Sequence, residues 1–276
     1  MCIRDRFSTP SSLPVYLAVL SPGTLSYYTY GYPLGPQAAA VPVAVSSSNT
    51  TVGTITGSPA SIPVGSYFTS SVSFQPATAG TANLNLATPT GYATPTTQFV
   101  QIVATVTAPA ITVNVPIVGN NLIVQGGVSL AAAPPSTETM TITTTDSNHF
   151  LLTTDPTKVG TASITLTLTA GSASVPAFYV EGQNLSGSTA VTATLTAKAA
   201  GFSDGTTTLT LYPSGLAFLN NALSTTSTSG PTAVTTYLVI LSPNTLSYYT
   251  YGYALGPQAS AIPVVVTSSS LSLIHI

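Results

Sequence analysis

YLAVLSPGTLSYYTYGYPLGPQAAAVPVAVSSSN (Tyr16–Asn49) returns 221 residues later as YLVILSPNTLSYYTYGYALGPQASAIPVVVTSSS (Tyr237–Ser270), with 25 of 34 positions identical. The differences say how the segment folds. Ala18, Val19, Val41 and Ala44 become Val239, Ile240, Ile262 and Val265, aliphatic for aliphatic, as inward-facing positions require. Gly23 becomes Asn244 directly after a proline, which puts the two residues best able to take a positive φ at the third position of a Ser-Pro-Gly/Asn-Thr turn. The chain therefore reads as one complete period and the start of the next, a fragment of something longer.

A shorter period lies inside the long one. Thr81-Ala82, Gly91-Tyr92 and Thr96-Thr97 are echoed by Thr189-Ala190, Gly201-Phe202 and Thr206-Thr207. The offset is 108 to 110 residues, and units of about 100 residues are the size of a β-sandwich domain. The strand pattern agrees: Ile164, Leu166 and Leu168 alternate with Ser and Thr, as do Val191, Ala193 and Leu195, and then Leu209 and Leu211. Period two with β-branched threonine outward is strand chemistry. Only Leu216 to Leu223 invites a helical reading, and Asn220-Asn221 argues against it. The expected organisation is all-β: sandwiches at 13–108 and 109–213 joined end to end, and a third, truncated unit at 214–270.

The flanking segments 1–12 and 271–276 stand apart as a non-native or disordered N-terminal segment and a non-native tail. MCIRDR (Met1–Arg6) and LSLIHI (Leu271–Ile276) resemble translated adapter sequence from metagenomic assembly. Between these two hexapeptides there is no Cys, so disulfide, thiol-nucleophile and zinc-thiolate chemistry are not expected.

Charge is the unusual figure. Asp, Glu, Lys and Arg make up 4% of the 276 residues, against about a quarter in an ordinary soluble domain. Nucleic-acid binding needs a basic stripe that is absent here. The 82 serines and threonines must do most of the solvating. No run reaches the roughly 18 apolar residues of a spanning helix, so no membrane span is expected. The apolar stretch Leu13–Leu20 is no secretory leader either, because it recurs in part as Tyr237–Leu241 deep in the chain.

Gly126–Asp146, Leu151–Ala173, Phe178–Gly182 and Thr189–Gly215 together resemble the bacterial immunoglobulin-like repeats of long secreted or surface-attached proteins. The resemblance covers most of 13–270, and its motifs are structural rather than catalytic. It implies tandem Ig-like sandwiches outside the cell, with leader and anchor beyond this fragment and neighbouring repeats of the same chain as partners. The Cys and Trp residues of antibody cores are missing, so packing alone must hold each sandwich.

Chemistry has few places to sit. His149 beside Asp146 is read as an exposed loop histidine, because catalytic triads are assembled from distant segments. Glu138, Asp146 and Asp155 lack the Asp-x-Asp-x-Asp-Gly spacing of a calcium loop and are read as solvated acids. Lys198, with Glu181 and Asn184 upstream, resembles the components of an intramolecular isopeptide bond, but its outward strand phase opposes that reading. No catalytic residue, metal or cofactor is expected.

The tyrosines are the most conspicuous feature. Tyr28, Tyr30 and Tyr32, copied as Tyr249, Tyr251 and Tyr253, would share one face of an extended strand about 6 to 7 Å apart. Such a ladder either stacks on sugar rings or a partner surface, or cements the joint between domains. Two functions are thus carried forward: a non-enzymatic spacer or display stalk, and an adhesive or carbohydrate-binding module taking a glycan or cell-surface ligand. Open exposure of the tyrosines favours the second.

Overall fold

The computed structural model describes residues 2–96, 99, 101–218, 222–226 and 228–267. The regular structure among them is all β, without a helix. The chain forms two compact units, each built of β-sheets. The first comprises Met1–Ala110 with Ala132–Pro135 and Gly201–Ser203; the second comprises Ile111–Ala131, Ser136–Ala200 and Asp204–Ile276. Residues from 214 onward thus belong to the second unit.

The first unit contains β1 (Cys2–Asp5), β2 (Ser11–Ser12), β3 (Val15–Tyr16), β4 (Ala18–Leu20), β5 (Tyr27–Tyr30), β6 (Val41–Ser47), β7 (Gly53–Thr56), β8 (Ala60–Ile62), β9 (Phe68–Thr69), β10 (Ser73–Pro76), β11 (Gly80–Ala87) and β12 (Gln101–Thr107). One sheet runs β1-β12-β11-β6-β8 and the other β2-β10-β7, with the small pairs β3-β9 and β4-β5 beside them. Ala82 and Leu84 of β11 and Ala104 and Val106 of β12 form one core with Phe74 of β10, Leu13, Val52 and Val72. Gly53 admits the Phe74 ring, because a Cβ there would intrude on it. A second cluster of Val41, Val43 and Ile62 carries Val15, Leu17 and Leu34 against it.

The N-terminal segment, expected to be non-native or disordered, is ordered as backbone. Cys2–Asp5 pairs in parallel with β12 from Cys2↔Ala104 to Asp5↔Thr107, since the outer edge of β12 offers unpaired N–H and C=O groups.

The second unit contains β13 (Ile111–Asn114), β14 (Val118–Gly119), β15 (Leu122–Leu130), β16 (Glu138–Thr144), β17 (Phe150–Thr153), β18 (Ser163–Leu168), β19 (Phe178–Gly182), β20 (Val191–Ala199), β21 (Gly205–Tyr212), β22 (Ser214–Phe218), β23 (Thr236–Leu241), β24 (Tyr248–Tyr251) and β25 (Ala254–Leu255). Its sheets run β13-β15-β19-β17 and β14-β21-β20-β16-β18, with β22-β23-β24 as a third and β25 attached to β15. Period two is realised as expected: Leu166 and Leu168, Ala193, Leu195 and Ala197, and Leu209 and Leu211 are buried, while the threonines between them face outward wholly or in part. Phe150, Phe178, Met140 and Ile142 complete the core. The stretch from Leu216, the one place where a helix was conceivable, begins in strand β22 to Phe218; residues 219–221 and the 271–276 tail lie outside the described residues.

The hairpin at the head of the repeated segment folds the same way twice. Both hairpins, β4–β5 and β23–β24, carry a bulge at the same step, Val19/Leu20 and Ile240/Leu241. Gly23 and Asn244 take φ +77° and +65°, as the turn chemistry requires, and Leu25 and Leu246 both sit at +54°. Gly31 and Gly252 stop the second strand with φ +107° and +103°.

Candidate functional site

The first hairpin presents its tyrosines to solvent. Tyr28, Tyr30 and Tyr32 are 71%, 54% and 64% exposed. Tyr28 and Tyr30 share a face of β5, but Tyr32 lies beyond the strand, because Gly31 turns the backbone out of the extended region directly after Tyr30. The ladder is thus two rungs followed by a turn.

Tyr30 is not isolated. Its ring lies 5.2 Å from that of Tyr16 and 6.4 Å from that of Tyr67, while Tyr16 stacks on Phe68 at 5.6 Å. These offset and tilted contacts lock the rings without burying their hydroxyl ends. Tyr16, Tyr67 and Phe68 were not singled out from sequence. Tyr16 heads the repeat, and its counterpart Tyr237 meets Tyr251 at 5.3 Å in the same way. Tyr67-Phe68 has no repeat counterpart in the chain and left no signal.

Behind the hairpin lies an apolar cleft of about 470 Å³, lined among others by Tyr27, Tyr30, Leu20, Leu84, Tyr92 and Ile102. The volume is that of a small-ligand site. Tyr27 meets Phe99 edge-on at 4.9 Å at its wall. Residues 13–108 hold no Asp, Glu, Lys, Arg or His, so the cleft offers aromatic rings, phenol and threonine hydroxyls and an amide, but no carboxylate, amine or imidazole. It can stack on a flat apolar face and hydrogen-bond a neutral polar ligand.

In the second copy, Tyr249 packs edge-on against Tyr212 at 5.6 Å, and Tyr253 is half-buried. Tyr248, Tyr249 and Tyr251 all stay about half exposed.

The other candidates resolve into local structure. His149 is half-buried rather than exposed, because its Nδ1 meets Asp146 Oδ2 at 2.6 Å. Burial pushes the Asp146 carboxyl up. The His149 side chain and charge, with backbone N–H donation from His149 and Asn148, outweigh that push and hold it below the usual value. Asp155 accepts from the Thr157 hydroxyl and N–H, and Glu138 accepts from Ser136. Among the described residues no three of His, Cys, Asp and Glu converge as a metal would need. Lys198 is exposed and paired with Asp204 at 2.7 Å, not with Glu181.

Glu181 is the exception. It is 1% exposed; Oε1 accepts the Gln258 N–H at 2.9 Å, and Oε2 is buried with no hydrogen-bond partner. Burial raises its carboxyl above the ordinary value, and the Gln258 N–H offsets this only in part.

No family model matches the chain, and no curated protein matches it. Solved structures do. The chain is similar to domains 4 and 5 of the S-layer protein SbsC, at 13% identity over 62% of this chain and 75% of that one, with a TM-score of 0.22. It is similar to the C-terminal domain of the AgI/II polypeptide BspA of Streptococcus agalactiae, at 13% identity over 64% and 82%, with a TM-score of 0.31. It is also similar to BcpA, the major pilin subunit of Bacillus cereus, at 8% identity over 75% and 71%, with a TM-score of 0.26. At these scores the likenesses assign no function.

Proposed function

We propose that this chain is a non-enzymatic structural repeat module of an extracellular bacterial surface or secreted protein, acting as a spacer or display stalk. The observation that carries the reading is the repeated hairpin, which recurs 221 residues apart with the same bulge and the same three positive-φ positions. A modular scaffold duplicates its packing units, and this duplicated strand pair carries no Asp, Glu, Lys, Arg, His or Cys. Hydroxyl-coated strands with few charges also suit a long exposed surface that must not adhere to its neighbours through ions. Single-molecule stretching of the full chain tests this. Discrete unfolding steps are expected, each releasing about 100 residues at about 3.3–3.6 Å per residue. Smooth extension without steps would remove the load-bearing reading.

A second reading has its own support. The exposure of Tyr28 and Tyr32 beside an uncharged apolar cleft fits a glycan-stacking surface. Titration with neutral oligosaccharides, followed by tyrosine fluorescence, should then saturate, and Tyr28→Ala with Tyr32→Ala should weaken binding at least about tenfold, the loss of roughly 1.4 kcal/mol. A flat titration across neutral oligosaccharides ends it.

A further inference from the structure

The two copies of the repeat have nearly the same sequence and different surroundings. The second is built into the body of residues 111–218. Its strand β23 pairs with β22, from Ser214↔Ile240 to Phe218↔Thr236. Val239 and Ile240 are fully buried. Asn244 N–H donates to the Ser188 carbonyl at 2.8 Å, and Tyr249 meets Tyr212. Farther on, β25 lies against β15 with Ile123↔Ala254 and Leu122↔Leu255 opposed, Gly256 N–H donates to the Asn121 carbonyl at 2.8 Å, and Gln258 N–H donates to Glu181.

Part of the matching surface in the first copy is open. Ala18 and Val19 are exposed, Val19 at 42% against 0% for Ile240, and β4 pairs only with β5. Gly35 is exposed where its match Gly256 is buried, and Gly23, Tyr28 and Gln37 lack the contacts that their equally exposed matches Asn244, Tyr249 and Gln258 make with Ser188, Tyr212 and Glu181. A Cβ on Gly35 would meet nothing within 4 Å, whereas one on Gly256 would collide with the Glu181 carboxylate.

The two environments use opposite edges of the same short strand. In the first copy, Leu34 N–H donates to Ser66 O at 2.9 Å and Leu34 O accepts from Gly65 N–H at 2.9 Å, so this residue is spent on its own unit. In the second copy the next residue, Gly256, donates to Asn121. Successive residues of a strand point their N–H and C=O groups to opposite sides, so one segment can satisfy both sets of bonds at once. The loop that follows is already formed in both copies, with Ala38 N–H on Gly35 O and Ala259 N–H on Gly256 O, each at 3.0 Å. The free surface is therefore preorganised. Pro33 stands where Ala254 does and forgoes an N–H, which a strand end tolerates.

We propose that the open face of the first copy, made of Ala18, Val19, Tyr28 and the Gly35–Gln37 backbone, is a docking surface for the 111–218 unit of a second copy of this chain, seated as that unit seats Val239–Gln258. The contact is heterologous, so one use of it leaves the opposite ends free for another. The inference rests on the structural-repeat reading and names the partner that reading lacks.

In the wild-type chain the seat on 111–218 is filled from within, so the chain is expected to sediment as a monomer. Gly256→Val with Gln258→Pro, in the full chain, removes the internal occupant by placing a side chain against Glu181 and deleting its N–H donor. Sedimentation of that variant should rise with concentration as first copies enter the vacated seats of other molecules. Adding Gly35→Val and Gln37→Pro should return it to a monomer. A monomer at all concentrations, or association that survives the added pair, overturns the proposal. Should the variant not fold, the milder Gln258→Pro alone, which deletes the N–H donor to Glu181 and loosens the internal occupant, is combined with Pro33→Cys and Ile123→Cys in a Cys2→Ser full chain and oxidised instead. Those two positions match the opposed pair Ile123↔Ala254, and chain-to-chain disulfide ladders are expected; monomer alone overturns the proposal. Failure here with stepwise unfolding intact removes the docking surface and leaves the spacer reading standing, whereas loss of the steps removes that reading itself.

Discussion

Glu181 shows how much one residue's chemistry depends on a segment far along the chain. Its partner Gln258 is 77 residues away, and no spacing rule joins them. Because burial raises its carboxyl, the folded chain holds this proton more tightly than the unfolded chain does. Stability is then greatest below the ordinary value of 4.5 and falls as pH rises through the raised folded value. Glu181→Gln keeps an acceptor for Gln258 and removes the titration. Its melting temperature should equal that of the wild type in acid and exceed it at neutral pH; a variant that melts lower at pH 7 contradicts the buried-carboxyl account. Asp146 has the opposite sign. Its contribution is present above the ordinary 3.8 and lost as pH falls through the depressed folded value. Asp146→Asn should therefore flatten the acid limb of the melting curve, and an unchanged limb would mean that the His149 contact adds nothing. The Asp146–His149 proximity was legible from their spacing of three; the half-burial that makes it matter was not.

At the scale of elements, the repeated hairpin is a controlled comparison written into one molecule. Ile240 and Val19 occupy the same position of the same bulged strand, one against the 111–218 body and the other facing solvent. Ile240→Ala should destabilise the second unit's denaturant transition by about 2–5 kcal/mol, the range for emptying an aliphatic core site. Val19→Ala should change the first unit's by about 0.5 kcal/mol or less. Equal effects in urea titrations would mean that the two hairpins are not differently packed. The local geometry was readable in advance: Pro22-Gly23 and Pro243-Asn244 mark the positive-φ turn, and the Thr/Leu alternation marks β18, β20 and β21. Tyr32 was misplaced on the ladder because a glycine's conformation is chosen by context, and Gly31 chose to end the strand.

Across the whole molecule, near-absence of charge sets the physical character. Among the described residues, the ion pairs Lys158–Asp155 and Lys198–Asp204 are exposed, and such pairs contribute about 0–1 kcal/mol. Melting temperature at neutral pH should accordingly move by no more than a few degrees between roughly 50 mM and 500 mM sodium chloride, since there is little for the salt to screen. A strong salt dependence would show that a charge network matters after all. By itself the sequence determined the all-β class, the two-residue alternation, the hairpin and its recurrence, because each follows from side-chain period and turn chemistry within a few residues. It also determined that residues 13–108 carry no carboxylate side chain, since Asp and Glu are absent there. The tertiary structure alone decided that Tyr16, Tyr67 and Phe68 join Tyr30, that a cleft opens behind the first hairpin, and that Glu181 is buried against Gln258. It alone decided that Ile240 is covered where Val19 is open, and that Val41 and Val43 are covered where Ile262 and Val264 are open. Two stretches with 25 of 34 residues in common cannot announce different burial, because burial belongs to what the rest of the chain brings against them.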